Sequence, residues 1–264
     1  MGTTAGTAAE PRRAHEDHVD SRFGPQAASY VASAVHAAGA DLDALAALLQ
    51  AERPARLLDL GCGGGHVSFA AAPHCAAVTA LDLSERMLAA VAAEAVRRAL
   101  GNIACRQGVA EALPFDDGAF DAVVSRFSAH HWRDVPAGLA AARRVLRPGG
   151  LCVMIDAVAP AEPLFDTFLQ TVELLRDPSH VRDYTPAEWR RFAADAGFTV
   201  ERAEGFRIHL EFSSWVTRIG TSDLNVAAIR ALQAGAPEEV VRRFAVEADG
   251  SFRLDTLMLV MRAC

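Results

Sequence analysis

An apolar run that breaks abruptly into glycines, residues 57–68, constrains this chain more than any other stretch: Leu-Leu-Asp-Leu-Gly-Cys-Gly-Gly-Gly-His-Val-Ser. A continuous apolar run bounded by turn residues suits a strand buried on both faces, as in a parallel sheet covered by helices on both sides. Glycines after it let the backbone turn sharply and approach a ligand, because no Cβ stands in the way. The stretch therefore reads as strand, tight loop and helix start, an elbow at the carboxyl edge of a sheet where open α/β folds bind their ligands.

Two nucleotide-bearing cofactors use such an elbow. The dinucleotide fingerprint needs a third glycine where this chain has His66, so the match to G-x-G-x-x-G is broken. Asp59, two residues before Gly61, stands where a carboxylate can pair with an ammonium group. NAD carries no such group, whereas S-adenosyl-L-methionine has an amino-acid ammonium and a sulfonium. A second apolar run ends in Asp82, about twenty residues beyond the first glycine, where an acid can accept from both ribose hydroxyls of either cofactor.

Asp59-x-Gly61-x-Gly63-x-Gly65 resembles the first motif of the class I S-adenosylmethionine-dependent methyltransferases. The segment Gly108-Val109-Ala110-Glu111-Ala112-Leu113-Pro114-Phe115 is similar to the Gly-Asp-Ala-Glu-x-Leu-Pro-Phe stretch of small-molecule methyltransferases like those of ubiquinone and menaquinone biosynthesis. Leu146-Arg147-Pro148-Gly149-Gly150 resembles a turn that recurs in the same family. The features follow the family's order over residues 57–157, and the flanks fit only as secondary structure. The resemblance implies a Rossmann-like three-layer α/β sandwich. Its mostly parallel seven-stranded sheet would carry an antiparallel last strand inserted between the fifth and sixth, with N-terminal helices and a helical lid.

The same resemblance implies S-adenosyl-L-methionine as cofactor. Its contacts would be Asp59, Gly61, Cys62 and Gly63 on the elbow, Asp82, Leu83 and Met87 after the second strand, Ala110 and Glu111 on the adenine loop, Arg126 after the fourth strand, and Tyr30, which like Phe23 suits either an aromatic lid over the cofactor or core packing. Met87 suits an adenine face or a helix core equally. Val109 replaces the family's aspartate, which leaves a backbone carbonyl, Glu111 or water for adenine N6.

The fourth strand opens onto Arg126-Phe127-Ser128-Ala129-His130-His131-Trp132, the densest chemical cluster in the chain. His130 and His131 are the candidate catalytic bases, since an imidazole titrates near neutrality; a structural role for one of them is the alternative. Asp156, near the end of the fifth strand, can face the substrate side. No metal site is expected. Nucleobase and amide methyltransferases carry Asn/Asp-Pro-Pro-Tyr where this chain has Ser125-Arg126-Phe127-Ser128, and the formal net charge of −7 offers no pull toward nucleic acid. A small-molecule methyl acceptor is favoured, through C- or O-methylation of a quinone-like, phenolic or other metabolite. A cofactor-binding protein without transferase activity and a nicotinamide-dependent oxidoreductase remain as alternatives.

Residues 1–16 read as a flexible leader and 17–264 as one domain, with 17–50 a helical cap and 160–195 a substrate lid. Within the cap, helices are expected over 27–38 and 42–49. Thr185-Pro186-x-Glu188 is a helix-start signature. Residues 225–246 read as helical, split near 235–237. Five cysteines without paired spacing suit reduced thiols, and with no signal peptide or membrane span a cytoplasmic protein is expected. Lysine is absent, which removes Schiff-base chemistry and a P-loop lysine. Both monomer and homodimer stay open.

Overall fold

The computed structural model describes residues 14–31 and 38–264. Seven strands form one sheet: β1 (Arg56–Leu60), β2 (Ala77–Asp82), β3 (Ile103–Gln107), β4 (Phe120–Arg126), β5 (Leu146–Ala157), β6 (Phe198–Leu210) and β7 (Phe252–Ala263). Their order is β3-β2-β1-β4-β5-β7-β6. The first five run parallel, and β7 lies antiparallel between β5 and β6. This is the Rossmann-like sheet with an inserted last strand that the motifs imply.

Alternation along the central strands divides the core into two layers, because successive side chains of a strand point to opposite faces. Leu58, Leu60, Val123, Cys152 and Met154 lie on one face under helices Val135–Val145 and Pro186–Asp195. Leu57, Ala122, Val124, Val153 and Ile155 lie on the other, under Leu42, Leu45 and Leu49 of helix Ala40–Glu52. A third cluster joins helix Pro163–Arg176 to the carboxyl-terminal helices through Leu169, Val172, Ile229 and Phe244. No helix among the described residues is long and apolar enough to cross a membrane.

Several local expectations reappear. Ser84 caps helix Glu85–Arg97 by accepting from the Met87 amide at 3.4 Å. Thr185 and Glu188 form the reciprocal capping box of Pro186–Asp195. Helices Asp223–Ala234 and Glu238–Phe244 are split at the expected glycine and proline. Short helix Phe212–Thr217, started by Glu211 accepting from the Ser213 and Ser214 amides, is an addition to that reading.

Other boundaries move. Helix His15–Phe23 begins inside the stretch expected as a leader, anchored by His15 Nε2–H donating to the His131 carbonyl at 2.8 Å and by the Glu16–Arg133 ion pair; residues 1–13 lie outside the described residues. Of the helix expected over 27–38, Ala27–Val31 is seen, and 32–37 are likewise outside. The expected lid divides in two. Its second helix buries Trp189 and Phe192 in the main core.

Candidate functional site

Every strand end that the motifs single out converges at the carboxyl edge of the sheet, where β1 and β4 lie side by side and the chain runs off in opposite directions. A cleft of about 1100 Å³ opens there, lined by the glycine loop, the ends of β2 and β4, the loop after β3 and the N-terminal cap. Asp59, Gly61, Cys62, Gly63, Asp82, Leu83, Met87, Ala110, Glu111, Arg126 and Tyr30 all border it.

Sterics explain the glycines individually. Gly61 and Gly63 have φ of 71° and 47°, in the left-handed region that side chains disfavour. A Cβ on Gly61 would come 2.0 Å from Ser128 Oγ, whereas at Gly63 nothing lies within 4 Å, so this backbone is bare to the cleft. Gly64 is different: a Cβ there would sit 2.8 Å from the Tyr30 carbonyl carbon and oxygen, because the cap crosses directly over the loop. Gly64→Ala is expected to cost about 1–3 kcal/mol by overpacking and to lift the cap; thermal unfolding with and without cofactor measures both, and an unchanged melting curve would count against this crossing.

His66, which breaks the dinucleotide pattern, donates from Nε2 to the Tyr30 carbonyl at 2.8 Å. Burial pushes its pKa down, opposed by that hydrogen bond. The residue that departs from one cofactor's signature is thus the clasp holding the cap. Met87 packs beneath Ala27 and Tyr30 and is 1% exposed while still bordering the cleft, so both readings of it survive.

Asp82 binds the loop from below: Oδ2 accepts from the Gly63 amide at 2.8 Å and Oδ1 from the Ser84 amide at 2.9 Å. Each oxygen retains a lone pair for a further donor. Asp59 is 1% exposed, and its Oδ2 accepts from both the amide (2.9 Å) and the hydroxyl (2.6 Å) of Ser68. Burial pushes its pKa up to about 7, against the pull of those two hydrogen bonds. Arg126 forms a buried two-bond pair with Asp41, Nε to Oδ2 at 2.6 Å, so it braces the wall between β4 and the cap. Glu111 accepts from the amides of Arg133 and Asp134, which closes the adenine loop onto the segment after the histidines.

A second chamber, about 1300 Å³, adjoins the cleft and shares Phe23, Tyr30, Arg126, Phe127 and His131 with it. His130 Nδ1–H donates to Asp156 Oδ1 at 2.6 Å, and the other oxygen of Asp156 accepts from the Ala129 amide. Burial depresses the His130 pKa, but Asp156, then Asp183 and Glu173, outweigh it and bring it up to about 9. His131 is the opposite case. Burial and the charge of His130 push it down to about 3, its Nδ1–H donates to the Ser179 carbonyl at 3.2 Å, and its ring packs edge-on to Phe23. The adjacent histidines, equivalent in the sequence, are therefore a strong base and a neutral wall.

Motifs could not find Glu173, Asp177, Ser179, His180 and Asp183, because they come from the helix and loop of the lid region. The signal that could have found them was the density of polar residues over 173–183. His130, Asp156 and Asp183 place potential ligand atoms within 4.8 Å of one another, which would suit a cation, yet the first two are already joined by the hydrogen bond above.

Comparison with known proteins adds an independent view. Residues 58–154 match the family model described as a methyltransferase domain. The uncharacterized protein YafE of Escherichia coli K12 is 47% identical over 75% of this chain and 96% of its own length. The uncharacterized methyltransferase YcgJ of Bacillus subtilis is 31% identical over 75% of this chain and 79% of its own, and its crystal structure superposes with a TM-score of 0.80 over 84% of this chain and 97% of that one. A putative methyltransferase of Bacillus halodurans superposes with a TM-score of 0.81 at 31% identity, covering 85% and 99% of the two chains.

Proposed function

The chain belongs to the class I S-adenosylmethionine-dependent methyltransferases, and on that premise we propose that it methylates an oxygen or an activated carbon of a small quinone-like or phenolic acceptor held in the chamber beside the cofactor cleft. S-adenosylmethionine is the methyl donor, and it supplies an electrophilic methyl on a sulfonium leaving group. The single observation that carries the acceptor assignment is His130, set in the wall of a chamber that adjoins the cleft with its ring held by Asp156 from behind.

The residues present fit the cofactor. The bare backbone at Gly63 lets an amino-acid tail approach, Asp59 lies buried beneath it, and Asp82 keeps lone pairs for ribose. Ala110 and Glu111 would border the adenine. Tyr30 and Phe23, packed edge to face, border both cavities, and apolar rings at that place lower the local dielectric, which strengthens charge interactions beside them.

His130 is assigned as the base. Asp156 orients its ring through Nδ1, leaving Nε2 to take the proton of an acceptor hydroxyl or acidified carbon. His131, neutral and fixed by Ser179, shapes the passage between the cavities and takes no proton near neutrality. Positioning of the acceptor against a prebuilt cleft supplies the remainder of the catalysis.

Two measurements test this reading. Titration with S-adenosylmethionine, S-adenosylhomocysteine and NAD should give binding of the adenosyl ligands alone, weakened about 10²- to 10³-fold by Asp82→Ala, since hydrogen bonds to a charged group contribute about 1.5–3 kcal/mol each. A screen of phenols and hydroxyquinones with methyl-labelled cofactor should then give a labelled product. Adenosyl binding with no transfer to any acceptor would favour a binding protein, and NAD binding would sink the proposal altogether.

A further inference from the structure

Asp183, in the wall of the second chamber, is firmly positioned and takes no part in the chemistry described above. Its backbone is held on both sides by one side chain: Gln170 Oε1 accepts from the Asp183 amide at 3.1 Å, and Gln170 Nε2 donates to the Asp183 carbonyl at 2.8 Å. The next residue, Tyr184, is bridged to Val158 beyond the end of β5. The carboxyl is consequently aimed by the scaffold, as functional groups on rigid supports are. It is 2% exposed, borders the chamber, and its Oδ2 has no hydrogen-bond partner. Leaving a buried polar atom unsatisfied costs about 1–3 kcal/mol, so such an atom calls for an explanation.

We propose that Asp183 is a specificity-determining residue that hydrogen-bonds an acceptor oxygen next to the site His130 deprotonates, and that the acceptor is therefore a keto-enol compound, such as a hydroxyquinone or an enolised diketone. This deepens the function proposed above and rests on it.

Charge and distance support the assignment. One ring nitrogen of His130 and one carboxylate oxygen of each of Asp183 and Asp156 lie within 4.8 Å of one another, a span that two conjugated oxygens of one small molecule can bridge. Burial and the neighbouring Glu173 push the Asp183 pKa up to about 8, opposed by His130, with Asp156 and Asp166 adding to the rise. A carboxylic acid at neutral pH donates a hydrogen bond. When His130 removes the enol proton, the electron pair left behind spreads through the enol double bond onto the carbonyl oxygen conjugated with it, where a donor stabilises it. A simple phenol has no such second oxygen and would leave Asp183 as it is now. His180, whose pKa burial lowers to about 3, stays neutral beside His130 and does not compete for that charge.

The test uses full-length protein saturated with S-adenosylhomocysteine and two probes of similar size: lawsone, whose enol is conjugated with a quinone carbonyl, and naphthol, which has the hydroxyl alone. Calorimetry should show lawsone bound at least about tenfold more tightly, the worth of one buried hydrogen bond. Asp183→Leu should reduce that preference to within about threefold. Asp183→Asn keeps a donor and should retain it. Between pH 7 and pH 9 the preference should fall more steeply in the wild type, where the carboxyl ionises as His130 loses its charge, than in Asp183→Asn, where His130 alone titrates, a contrast that a merely structural residue would not produce. Equal affinity for the two probes, failure of both to bind, or an undiminished preference in a folded Asp183→Leu protein would each overturn the proposal. Failure of the protein to bind S-adenosylhomocysteine would instead bring down the functional reading beneath it.

Discussion

Replacing His130 by glutamine is expected to lower kcat for methyl transfer about 10²- to 10⁴-fold, the range a positioned general base contributes, while the Kd of S-adenosylmethionine changes little. The expectation follows from placement, since His130 borders the second chamber and stands outside the cofactor cleft. Its pH signature is more discriminating. With its pKa brought up to about 9 by Asp156, Asp183 and Glu173 against the effect of burial, most of the imidazole is protonated at neutrality. The base form grows about tenfold per pH unit, so kcat/KM should rise with unit slope up to about pH 8, above which ionisation of Asp183 removes its hydrogen-bond donor and flattens the rise.

Asp156→Asn should move that limb to lower pH, because it removes the largest raising cause and leaves burial, which favours the neutral ring. The plateau should also fall, as a weaker and less well oriented base remains. A profile flat from pH 6 to pH 9 in the wild type, or a limb unmoved by Asp156→Asn, would show that His130 does not accept the proton. His131→Gln serves as the contrast: its pKa lies near 3, so it should alter KM or cofactor affinity without shifting the profile.

The second large effect concerns cofactor binding at Asp59. Burial holds this carboxyl near pKa 7 in the unliganded protein, and an ammonium brought beside it would favour the ionised form. Binding of S-adenosylmethionine below pH 7 should therefore release close to one proton. Its Kd should fall about tenfold per unit as the pH rises from 5 to 7, then level. Calorimetry in buffers of different ionisation enthalpy reads the proton directly. Asp59→Asn should abolish the release and weaken binding at pH 8, whereas a proton-neutral titration of the wild type would remove Asp59 from the ammonium.

Asp59 also sets a stability expectation whose sign is unusual for an acid. Its folded pKa lies above the unfolded value of about 3.9, so the folded state binds the proton more tightly. The contribution is greatest at pH below about 4 and is lost as the pH climbs toward 7. The cofactor's cation should restore it, so stabilisation by ligand should be larger at pH 8 than at pH 5.

What the amino-acid sequence determined by itself was everything governed by short-range rules. The apolar run and the glycines after it marked β1 and its loop, since a two-sided strand and a positive-φ turn each demand particular residue types. Thr185 and Glu188 announced a helix start because the cap needs only neighbours in the chain. Asp82 was legible as a cleft residue because a fixed spacing from the first glycine carries it to the adjacent strand end.

The tertiary structure decided the partnerships. Asp41 and Arg126 are 85 positions apart, and His130 and Asp156 are 26 apart on different strands' ends. No periodicity couples such residues; they meet because helices and strands pack at angles and depths set by the whole core. The same packing made His66 a clasp on the cap, separated two adjacent histidines in pKa by burial and charge, and turned Asp183 of an unremarkable loop toward the chamber. A residue's type states which chemistry is available to it, and burial beside a particular neighbour selects which of those chemistries is used.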